Sequence, residues 1–130
     1  MIFLNMAPIL LLCKKQNTVK ISTYGSEFIA LQTACDMVET LRYKLRMLGF
    51  PLEGPARMMC DYSSVVYNGS FPESTLKKKH VAISYHRVRE FVAAQKGIIY
   101  YEQSQSNIAN LFMKVLPANI RCQLIQGILS

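Results

Sequence analysis

From about Thr23 to Leu48, apolar residues recur every three or four positions, at Phe28, Leu31, Cys35, Val38, Leu41, Leu45 and Leu48. That spacing draws one stripe along a single helix and turns it toward a core. Ser22 or Thr23 can cap its start, and Gly49 followed by Pro51 stops it. Arg42, Lys44 and Arg46 sit near the end where the helix dipole favours cations. Glu27 then falls in or near the first turn.

The flanking segments are shorter. Residues 1–4 and 9–12 are apolar runs around Asn5, Met6, Ala7 and Pro8, which suits a hairpin whose turn holds the proline. Residues 18–22 read as a third extended piece. Residues 57–62 form a strand bounded upstream by Gly54 and Pro55, and 63–68 a short helix, so Asp61 lies at a strand's C-terminal end. Residues 68–75 carry Gly69 and Pro72 and read as a loop. Val81, Tyr85, Val88 and Val92, with Phe91 beside them, then make a helical stripe up to Gly97, followed by a strand over 98–102. Two further helices, 106–114 and 120–129, are separated by Pro117. Strands alternating with helices make this an α/β chain.

At 130 residues the chain is the size of one domain, 1–130, and with 51% hydrophobic and 18% charged residues its composition is that of a globular protein. Fifteen Lys and Arg against eight Asp and Glu leave a net charge of +7, which favours polyanionic partners such as nucleic acid or an anionic surface. The four cysteines, Cys13, Cys35, Cys60 and Cys122, form no Cys-x-x-Cys pair, lie in apolar or helical surroundings and read as reduced, buried thiols. The apolar start is broken by Asn5 and Pro8, lacks a leading basic residue and is too short to span a bilayer. It reads as a strand pair, not an anchor, and points to a cytoplasmic or nuclear protein that is not secreted.

Four blocks in order carry a resemblance. They are Lys14-Lys15-Gln16-Asn17-Thr18-Val19 running into Ser26-Glu27-Phe28-Ile29-Ala30-Leu31; Cys60-Asp61; Lys79-His80 continuing to Tyr85-His86-Arg87-Val88-Arg89-Glu90; and Ile108-Ala109-Asn110-Leu111 before Lys114. In these the chain resembles the ribonuclease H region of copia-type retrotransposon polyproteins. The resemblance implies a five-stranded mixed sheet flanked by helices, cutting the RNA strand of RNA–DNA hybrids with four acidic residues and two Mg²⁺ ions. Two metals roughly 4 Å apart activate water and stabilise the leaving oxygen, which demands several anionic ligands. Carried over, Glu27 matches the family's helix glutamate and Asp61 its fourth-strand aspartate.

The departures matter as much. The family's first aspartate lies on a central opening strand, and this sequence begins after it, which leaves a gap in the expected sheet and predicts marginal stability. Asn110 stands at the position of the family's last aspartate; its carbonyl can ligate but brings no charge. Tyr62 replaces an Asn or Gln, and Ala82 an acidic residue. Two carboxylates poorly neutralise two divalent ions, so the pattern implies weak or no Mg²⁺ binding and a remnant inactive as it stands.

Other groups are weaker signals. Lys77, Lys78, Lys79, Arg87 and Arg89 are candidates for phosphate contact or a solvated charge run. His80 and His86, six apart on one helix, face different ways and make no metal pair; His80 matches only loosely a loop histidine of some ribonucleases H. The alternatives to a degenerate nuclease are a non-catalytic basic nucleic-acid-binding module and a nonfunctional translated fragment.

Overall fold

The hydroxyl of Ser22 accepts a hydrogen bond from the Gly25 amide at 3.1 Å and caps helix α1, Thr23–Met47. At the other end Gly49 adopts φ +84°, with Gly49 N–H donating to Arg46 O and Phe50 N–H to Leu45 O, both at 3.0 Å. That is a Schellman closure, which needs a residue at ease in the left-handed region. Both ends match the sequence expectation, while Glu27, the fifth residue of α1, sits just beyond its first turn.

The computed structural model describes residues 1–14, 22–75 and 79–129, and these divide into two units, Thr18–Tyr101 and Met1–Asn17 with Glu102–Ser130. In the first, strands β1 (Ala56–Cys60) and β2 (Gly97–Tyr101) pair in parallel from Ala56 opposite Gly97 to Cys60 opposite Tyr101. They are joined through α2 (Ser63–Ser70), a 3-10 turn at Lys79–Val81 and α3 (Ala82–Ala93). A parallel pair requires such a crossover. Inward-facing Met58, Cys60 and Ile99 meet Phe28, Leu31 and Cys35 of α1, Val65 of α2, and Tyr85, Val88 and Phe91 of α3. The α1 stripe is buried only as far as Cys35; Leu48 at its end is 73% exposed, because the core stops short of the helix's last turns.

In the second unit, β3 (Ile2–Leu4) and β4 (Ala7–Leu10) form an antiparallel ribbon, with Leu4 opposite Ala7 across Asn5 and Met6. Asn5 makes the turn at φ +54°. The proline expected in that turn, Pro8, instead lies in a strand opposite Phe3. A two-stranded ribbon has only edge strands, so a residue without an N–H is tolerated there. The helix expected over 106–114 is a 3-10 turn, Ile108–Phe112, capped by the Asn107 side chain on Ala109 N–H at 3.1 Å. Helix α4 covers Ala118–Leu129.

The chain is thus mixed α/β, with four helices and two small sheets among the described residues. Where the resemblance implies one mixed five-stranded sheet, the described strands form one antiparallel and one parallel pair. Of the extended piece expected over 18–22, only Ser22 lies within the described residues. No described helix is long and apolar enough to cross a membrane.

Candidate metal centre

Strand β1 ends at Cys60, and the chain turns at Asp61 into α2, whose Val65 and Val66 amides donate to Tyr62 O at 3.0 and 3.1 Å. This corner faces the early turns of α1. The ligating atoms of Glu27, Cys60 and Asp61 all lie within 4.8 Å of one another, the carboxylates partly exposed and the thiol buried. Two residues distant in sequence but matched to one family's metal ligands are therefore brought together.

Aromatic packing sets the register of the two elements. The Tyr24 ring meets Phe28 edge-on with centroids 5.0 Å apart, and meets Tyr62 at 6.4 Å. Tyr62, unusual at its position in the resemblance, bridges the Asp61 corner to the helix that bears Glu27. Burial raises the Tyr24 pKa, and the neighbouring Tyr85 and Tyr62 add to the shift. Burial likewise pushes the Cys60 thiol up; the Tyr62 amide draws it down, while Glu27 and Asp61 raise it. The thiol is therefore protonated at neutral pH unless a cation displaces its proton.

The donor set is two hard carboxylates and one soft sulfur. Its two full negative charges balance one divalent ion and leave a second uncompensated. Hence the residues fit a single ion and do not fit the two-Mg²⁺ arrangement. No protein-family model matches the chain. No solved structure matches it either.

The remaining candidates are placed differently. Asn110 belongs to the other unit, where it is 4% exposed and its amide donates to Ser104 O at 2.7 Å. Lys77 and Lys78 lie outside the described residues, as does the side chain of His80. Lys79 is exposed, and His86 lies edge-on to Tyr85, with ring centroids 5.2 Å apart. Arg87 pairs with Asp36 at 2.9 Å and Glu39 at 2.6 Å, and Arg89 donates to Ser74 O at 3.1 Å, Pro72 O at 2.6 Å and the Tyr85 hydroxyl. Both arginines are engaged within the fold. Asp36 and Glu39 gave no functional signal in the sequence, since their partners lie on another element.

Proposed function

We propose that the chain is the remnant of a copia-type retrotransposon ribonuclease H, in which Glu27 and Asp61 hold one divalent ion and no longer support hydrolysis. One observation carries this reading: the two acids that match the family's helix and strand ligands converge, with Cys60, within 4.8 Å. The parallel pair β1–β2, joined through helices, is compatible with a ribonuclease H-like order. In the ancestral reaction, four acidic residues and two Mg²⁺ ions cleave the RNA strand of an RNA–DNA hybrid. Here Asn110 brings an amide where the resemblance calls for a carboxylate, and the charge required for a second ion is lacking.

The test is incubation of the purified chain with a hybrid labelled in its RNA strand, in Mg²⁺ or Mn²⁺, beside titration calorimetry with each metal. The expected result is binding of one ion, lost in Glu27→Gln and in Asp61→Asn, with no cleavage by the parent or by Asn110→Asp. Cleavage by the parent that Glu27→Gln abolishes would overturn the inactive reading. Absence of metal binding by the folded parent would remove the centre itself.

A further inference from the structure

The C-terminal half of α1 and the corner between α3 and β2 frame an open groove of about 740 Å³. Its lining carries four cations, Arg42, Arg46, Arg87 and Lys96, against two carboxylates, Asp36 and Glu39. The carboxylates are already committed. Arg87 takes both, and Lys96 closes on Glu39 as well. What remains available is the α1 pair.

Arg42 and Arg46 are four residues apart and so share a helix face. Arg42 gives one N–H to Gly54 O at 2.5 Å and keeps its other donors. The Arg46 side chain is exposed and makes no hydrogen bond or ion pair among the described residues. Beside them in the same groove, Tyr43 is 65% exposed, an aromatic ring left in water.

We propose that this groove binds single-stranded nucleic acid, with Arg42 and Arg46 on successive phosphates and Tyr43 stacked on a base. Guanidinium forks match phosphate oxygens in pairs, and a basic groove with an exposed aromatic is the arrangement that holds single strands without reading their sequence. The ring selects the strand type: only an unpaired base offers Tyr43 a free face, whereas a duplex or an acidic peptide would use the charges alone. None of these residues belongs to the metal centre, so this inference and the preceding proposal can fail separately.

The experiment is fluorescence anisotropy of labelled oligothymidine with the full chain in EDTA, across a salt series, so that metal plays no part. Binding is expected to weaken about tenfold or more in Tyr43→Ala while Tyr43→Phe retains it, since stacking needs the ring and not the hydroxyl. The Arg42→Gln, Arg46→Gln double variant is expected to flatten the log–log salt dependence by about 1.4, twice the roughly 0.7 per phosphate of single strands. Arg57→Gln, at an exposed cation outside the groove, is expected to leave affinity unchanged. These side chains are partly or fully exposed, and circular dichroism will confirm that each variant folds. The proposal is overturned if the folded parent does not bind at low salt, if the double variant binds like the parent, or if polyglutamate or a blunt duplex competes as well as unlabelled oligothymidine.

Discussion

Gly97 has no room for a side chain: a Cβ there would come within 2.2 Å of Cε1 of Phe91. The Phe91 ring is fully buried, so it cannot swing away without opening the core it fills. Gly97→Ala is expected to destabilise the fold by about 2 kcal/mol, the usual scale for overpacking, and to lower the melting temperature by roughly 6–12 °C. Gly69 provides the contrast. Its Cβ would meet Ile99 Cδ1 and Val88 Cγ1 at 3.2 Å, a contact that small shifts relieve, and alanine gains helix propensity. Thermal melting of the two variants should separate them clearly; equal midpoints would refute the steric reading.

Arg87 works as a clasp between α1 and α3, and Lys96 extends it to the start of β2 through Glu39. The hydrogen bonds from Lys96 and then Arg87 hold the Glu39 carboxyl below its usual value. A depressed carboxylate stabilises the fold above its ordinary pKa, and that contribution is lost as pH falls through the folded value. Melting temperature should therefore fall as pH drops below the ordinary glutamate range, and Glu39→Gln should flatten the response. At neutral pH Arg87→Met should cost about 1 kcal/mol, a modest figure because the clasp is partly solvated. A pH profile identical in parent and Glu39→Gln would sink the assignment.

What the sequence revealed and what it hid follow from how local each interaction is. The ends of α1 were legible because Ser22 and Gly49 act within a few residues of themselves. Asp61 was legible as a strand end because the turn into α2 is local. Pro8 was misplaced because its tolerance depends on how many strands the ribbon has, which no neighbouring residue states. Arg87 read as a phosphate contact or part of a solvated charge run because Asp36 and Glu39 reach it only across packed helices, and the groove of Arg42, Tyr43 and Arg46 exists only once those helices are assembled. The meeting of Glu27 with Asp61 was foreseen through resemblance alone, since periodicity by itself leaves each an ordinary helix or turn acid.

The four thiols should divide into two classes. Cys35 is fully buried, and burial, helped by the charge of Asp36, pushes it up to about 12 against the pull of Arg87. Cys60 is raised as well, while Cys13 and Cys122, expected from their apolar surroundings to be buried, are exposed: Cys13 lies beyond the end of β4, and α4 buries Leu124 instead of Cys122. Alkylation at neutral pH should modify Cys13 and Cys122 in the native chain and reach Cys35 and Cys60 only after unfolding, as peptide mass mapping will show. A raised thiol pKa favours the native state fully below the ordinary value and loses that contribution as pH rises toward the folded one. Rapid native labelling of Cys35 would contradict the packing of α1 on β1.

The outward face of the parallel pair yields the last expectation. Parallel strands are ordinarily covered on both faces, yet here helices pack on one side while Met59, Ile98 and Tyr100 are 64%, 41% and 45% exposed on the other. Apolar side chains on adjacent strands make a continuous patch, and such a patch on a sheet that has two strands among the described residues promotes association. The net charge of +7 opposes this at low salt, so association should grow as salt screens the repulsion. Sedimentation velocity should show larger species with increasing salt and concentration, together with enhanced fluorescence of a hydrophobic dye. Met59→Lys with Ile98→Lys should reduce both while leaving the helical signal intact, because neither side chain contributes to the buried core. A parent that stays monomeric and dye-dark in high salt would mean that this face does not behave as an exposed apolar surface.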